Sequence, residues 1–223
     1  MSEWWTYRLE DFLLFSPRVY WRLFELQNAE YWPLHFLMFA LGGVILVLGF
    51  HRPHGQGHWI WLVLTAAWGF VSWSFLWQRY AAINWAIAYV APAFVVQVLL
   101  LIAAASGKVT LDRQDIAGRA GLLLAAFGLI IYPLLPALFG RPWTHAEVFG
   151  IAPDPTAIVT LGLLFAASGR LVLLLFPVPF IWLMLSGVTL DTMGDRQSSI
   201  LLLAAGVTAT LLCFRLVNRW RTS

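Results

Sequence analysis

Two carboxylates, one of them set between prolines, mark the most chemically loaded stretch of this sequence, Glu147-Val-Phe-Gly-Ile-Ala-Pro-Asp154-Pro-Thr156. Pro153 and Pro155 restrict the residues before them to extended backbone. Asp154 followed by Pro155 reads as an N-cap with proline at the first helical position. The free amides of such a helix start present the positive end of a dipole. With Arg170 just beyond the helix, the group Glu147, Asp154, Thr156 and Arg170 reads as a mouth for a small polar solute or a cation. The competing reading is structural: a well-capped helix at a membrane surface.

A second group lies inside an apolar run. Asn84, Tyr89 and Gln97 could line a polar path, and Pro92 would free a carbonyl between them, as in the broken helices of transporters. Interhelical hydrogen bonding is the plainer role, worth on average only ~0.6 kcal/mol. No carboxylate is expected at mid-membrane depth, which argues against a proton relay through buried Asp or Glu.

Histidines are the third group. His51, His54 and His58 fall within eight residues, and neutral imidazoles ligate transition metals. Pro53, Gly55 and Gly57 make that segment a turn, however, and no carboxylate or cysteine lies near it in sequence. The expectation is a polar connection and no metal. His35, one turn into the first apolar run, is expected to bond a backbone carbonyl. No haem-attachment, P-loop or dinucleotide-binding pattern occurs, so neither a cofactor nor enzymatic activity is expected. Cys213 is the single cysteine, which excludes an intramolecular disulfide.

The elements that must position these groups are membrane helices. Hydrophobic residues make up 61% of the chain and charged residues 11%, where a soluble domain carries ~25% charged. Apolar runs span roughly 32–50, 58–77, 82–106, 116–138, 171–190 and 199–217, each near the ~20 residues that cross ~30 Å of hydrocarbon. A further run ends at Ala167 after roughly 14 residues, and would rise only ~21 Å. The fold class is therefore all-α, a polytopic membrane bundle of about seven helices, the fifth either short or re-entrant. Residues 31–223 form the bundle, and 1–30 an interfacial segment of two short amphipathic helices, the second opened by Ser16-Pro17, rich in tryptophan (Trp4, Trp5, Trp21). Small-residue pairs at Gly42-Gly43, Ala66-Ala67, Ala125-Ala126, Ala166-Ala167 and Ala204-Ala205 allow close helix packing. Among the tryptophans of the second run, those at its ends read as belt residues, and Trp68 near its middle faces either lipid or the bundle.

With seven crossings, Arg52, Lys108, Arg113, Arg119, Arg170, Arg215, Arg219 and Arg221 share one side. Arg8, Arg18, Arg22, Arg79, Arg141 and Arg196 share the other, the first three among acidic neighbours. The bias places the C-terminus in the cytoplasm of a bacterial inner membrane.

Three segments carry a family resemblance: Trp4-Trp5-Thr6-Tyr7, Asp11-Phe12-Leu13-Leu14-Phe15-Ser16-Pro17-Arg18 and Phe149-Gly150-Ile-Ala-Pro-Asp-Pro-Thr156. In these the chain resembles an uncharacterised bacterial family of multi-pass membrane proteins, domain-of-unknown-function family six-zero-six-four. The resemblance implies a membrane protein and supplies no substrate. Two functions are then expected: a small permease-like or solute-handling bundle, or a non-catalytic accessory subunit anchoring a respiratory or photosynthetic complex. Its partners are the bilayer and either other membrane subunits or further copies of itself. Nucleic acid is not among them.

Overall fold

The computed structural model describes residues 14–51, 57–111 and 115–221. Helix α1 (Pro17–Glu30) starts where the sequence places it: Ser16 Oγ accepts the amide of Val19 at 3.4 Å, and Pro17 takes the first turn. It buries Tyr20, Trp21, Leu23, Phe24 and Gln27 and leaves Arg18 and Arg22 outside. The remainder of the amphipathic N-terminal segment, with Trp4 and Trp5, lies outside the described residues, as does His54.

Among the described residues, six helices are long and apolar enough to cross a membrane: α2 (Leu34–His51), α3 (Gly57–Ile83), α4 (Ile87–Lys108), α5 (Ile116–Leu138), α7 (Val172–Thr192) and α8 (Gln197–Val217). Their outer faces carry Val47, Leu99, Leu123, Ile181 and Leu203, exposed as lipid-facing side chains must be. Two boundaries differ from the sequence reading. The second span runs six residues past Trp77, because its chain widens into π-helical turns over Ser72–Tyr80. The third begins at Ile87 rather than near Ala82, after Asn84 breaks the helix in an extended conformation.

Helix α6 (Pro153–Phe165) is the centre of the bundle. All 13 of its residues are buried, and it packs against α3, α5, α7 and α8. The tightest seam is with α5. A Cβ on Gly162 would run into Gly121 O and Ala125, and one on Gly128 would meet Ile158 and Val159. Of the small pairs named from sequence, Ala125 sits in this seam, while Gly121 and Gly162 were not anticipated. Trp68 is fully buried and donates its indole N–H to Thr160 of α6 at 2.9 Å, so it belongs to the bundle and not to the lipid face. Trp59, Trp73, Trp77 and Trp85 are exposed, as belt residues are.

Two contacts decide how α6 runs. At its end, β2 (Ala167–Ser168) pairs antiparallel with β1 (Thr110–Leu111), which lies between α4 and α5. At its start, the segment after α5 is tied to the α7–α8 turn by an ion pair from Arg141 to Asp195 at 3.5 Å. The helix thus enters at the face shared by α1 and the α7–α8 turn and leaves at the opposite face. It runs through the bundle from one end to the other and does not fold back as a re-entrant hairpin. Its 13 residues rise only ~20 Å, and all are sealed inside protein, so the hydrocarbon thickness does not set their length. The guanidinium of Arg215 on α8 completes the far end, donating to the carbonyls of Leu164 and Ala167 at 2.9 Å each.

Candidate functional site

Asp154 does not cap the central helix. The N-cap is Ala152, and Asp154 sits in the first turn with its side chain turned into the bundle. There it accepts Trp182 Nε1 at 2.7 Å, Ser186 Oγ at 2.8 Å and Tyr132 Oη at 3.2 Å. Ser186 and Trp182 stand six and ten residues before the end of α7 at Thr192, so the carboxylate lies roughly 9–15 Å below that end. Thr156 ties down the turn that leads into the helix. Its hydroxyl accepts the amide of Gly150 at 2.8 Å and donates to Ala152 O at 2.7 Å. Gly150 has φ +75°, the left-handed conformation that lets the chain turn into the helix.

Glu147 is buried beside Asp154 with no exposed surface. Gln197 Nε2 donates to its Oε1 at 2.6 Å, and no donor reaches Oε2. Burial pushes the Glu147 carboxyl well above the ordinary 4.5, and the neighbouring Asp154 charge pushes it the same way. Burial favours the neutral form of Glu147, while Asp154 is the carboxyl that holds three donors. The donor directions agree. Arg141 donates to Gln197 Oε1, Gln197 Nε2 to Tyr132 Oη at 2.8 Å, and Tyr132 to Asp154. Every bond in this row points its hydrogen towards Asp154. Two carboxyls are thus buried within the bundle, carried in by a loop and a short central helix rather than by a long apolar span.

The loop that carries Glu147 is held by α1. Asn28 Nδ2 donates to Thr144 O and Ala146 O at 2.7 and 2.9 Å, Gln27 Nε2 to Ile151 O at 3.2 Å, and His145 Nε2 bonds Glu25 Oε1 at 2.9 Å. Trp21 stacks on His145 and carries the Arg141 guanidinium 3.7 Å over its ring. Around the carboxyl pair stands an aromatic wall, in which Tyr80 meets Trp182, Trp182 meets Phe94 and Phe94 meets Trp68. The first helix is therefore a clamp on the site's loop, a role its amphipathic pattern alone does not reveal.

The other sequence candidates separate. Arg170 is exposed in the turn after β2, at the opposite face from Asp154, so the four residues of the mouth do not converge. Glu147 and Asp154 do lie together, and both, like Thr156, are sealed from solvent. Asn84 Oδ1 caps the start of α4 through Ala86 N at 3.1 Å, Tyr89 faces outward at 77% exposure, and Gln97 is buried with Nε2 on Leu175 O at 3.3 Å. They form no common path. His51 bonds Val47 O within its own helix, and the His58 ring sits tilted against Trp59 at 4.9 Å. Among the described residues no group of three or more His, Cys, Asp or Glu gathers as a metal site. His35 bonds the Asn28 side chain rather than a backbone carbonyl. Tyr132, Trp182, Ser186, Gln197 and Arg141 were missed, although Tyr132, Ser186 and Gln197 each place a polar group in or at the start of an apolar span.

The fold and this buried polar network define an all-α bundle of membrane helices. The chain belongs to a family of unknown function, DUF6064, whose model matches residues 17–222. No curated protein and no solved structure matches it.

Proposed function

We propose that this bundle handles a small solute in a proton-linked manner, with Glu147 and Asp154 as its proton-holding pair. The observation that carries the reading is the asymmetry of the two carboxyls: three donors on Asp154, none on Glu147 Oε2. A buried carboxyl that can exchange one proton beside a fixed charge is a means of coupling proton binding to conformation. The row Arg141–Gln197–Tyr132 connects this pair to the face bearing the α7–α8 turn. By the distribution of basic residues that face is the outer side of a bacterial inner membrane. The reading assigns no catalytic residue and no cofactor.

Proteoliposomes loaded with a pH-sensitive dye test it. An imposed membrane potential should drive proton movement through the wild type and not through Glu147→Gln or Asp154→Asn. In parallel, infrared difference spectra at neutral pH should contain a protonated-carboxyl band that Glu147→Gln removes. Undiminished proton movement in both variants, or an unchanged band, refutes the assignment.

A specific observation favours a second reading, an accessory subunit. The outer face of α8 carries a groove of about 530 Å³ lined by Ser199, Leu203, Gly206, Val207 and Thr210, and a Cβ at Gly206 would meet nothing. Small residues at such spacing admit a partner helix. Co-purification of respiratory or photosynthetic subunits, lost in Gly206→Leu, would support it, and a lone protein in mild detergent would not.

A further inference from the structure

Apart from the carboxyl pair, a cleft of about 470 Å³ opens between α1, the start of α2 and the loop at Trp143. Its walls are Trp32, Phe36, Phe39 and Trp143, all exposed on the outer surface of the bundle. Its floor is polar, made by Asn28 and His35 with Glu25 at the rim. An apolar cleft with a few converging polar groups is the usual form of a small-molecule site, and this one falls within the ~300–1,000 Å³ of such sites.

The floor has a defined chemistry. Both hydrogens of the Asn28 amide are committed to the carbonyls of Thr144 and Ala146, which fixes Oδ1 towards His35 Nε2 at 3.0 Å. An amide oxygen only accepts, so Nε2 carries the imidazole proton and Nδ1 is left as a bare acceptor. His35 is 8% exposed, and its Nδ1 has no partner. The Trp32 ring, itself exposed, packs over the imidazole at 5.7 Å. Glu25 is held as a carboxylate by Arg22 and His145, so the rim disfavours an anionic head group.

We propose that this cleft binds a neutral, lipid-soluble molecule whose head-group hydroxyl donates to His35 Nδ1. Trp32 is the cover the head group displaces, and the hydrocarbon runs out along Phe36 and Phe39 into the bilayer. Two sources share this chemistry, a glycerolipid with a free hydroxyl and a hydroquinone.

Calorimetry on the purified full chain in maltoside micelles tests the proposal, with dioctanoylglycerol and decylhydroquinone as probes and their methyl ethers as donor-less controls. At least one hydroxyl probe should bind about tenfold more tightly than its ether. The difference should vanish in His35→Phe. A preference confined to dioctanoylglycerol identifies a lipid, and one confined to the hydroquinone a redox-carrier head group. Equal binding of each probe and its ether, or no binding of either probe, overturns the proposal. Should His35→Phe fail to fold, the wild-type comparison decides alone.

Discussion

Gly121 of α5 and Gly162 of α6 meet backbone to backbone: a Cβ on either one would run into the carbonyl oxygen of the other. That contact seats the central helix, and with it both carboxyls. Replacing Gly162 by Leu should destabilise the bundle by about 3 kcal/mol or more, since no flexible side chain can yield there. Gly206→Leu, on an open face, should leave a lone protein's stability within ~0.5 kcal/mol. Equal unfolding midpoints for the two variants in a detergent denaturation series would show that the α5–α6 seam is not tight.

Glu147 should impose a pH dependence on stability. An unfolded glutamate titrates near 4.5, and burial raises the folded one well above this. Between the two values the folded state binds more protons. Stability is therefore full below about pH 4.5 and declines as pH rises, by up to ~1.4 kcal/mol per pH unit, until Glu147 loses its proton. Glu147→Gln keeps the bond from Gln197 and removes the titration. Its melting temperature should match or exceed the wild type at neutral pH and vary less above pH 4.5. An unaltered slope would place the titrating group elsewhere.

Asp154→Asn is equally small but should behave oppositely. Three donors converge on the carboxylate, and an amide must turn its own N–H groups towards at least one of them. The stranded donor should cost about 1–3 kcal/mol. Loss of the Trp182 bond should also shift its fluorescence in a Trp-reduced background. A variant as stable as wild type would contradict the charge assignment.

The end-to-end path of α6 predicts opposite labelling of two exposed sites. With Cys213 replaced by Ser, Trp143→Cys should react with an impermeant maleimide from one side of the membrane and Arg170→Cys only from the other. By the charge bias, Trp143→Cys labels in intact cells and Arg170→Cys after lysis. Labelling of both from one side would restore the re-entrant reading.

Much of the site was in view in the sequence, but not its geometry. Glu147, Asp154 and Thr156 stood out because two prolines and two carboxylates in ten residues are rare in so apolar a chain. Arg170 was added through sequence proximity, which misleads here because an entire buried helix separates it from Asp154. Gln197 and Ser186 drew no attention, because a single polar residue in an apolar span carries no sign of the neighbour it will meet. Position along a helix is local; rotation about its axis and depth in the bundle are not.

By itself the sequence determined the class of this protein, its six long spans and the start of α1. These follow from hydropathy and local capping chemistry, which need no partner. Only the tertiary structure decided that α6 crosses the whole bundle. The length rule for spans reports contact with lipid, and α6 touches only protein. The same burial turned Asp154 from a helix cap into a carboxyl bonded by Trp182, Ser186 and Tyr132. Excluded from water, the carboxyl takes its donors from α5 and α7 rather than from the amides of its own helix.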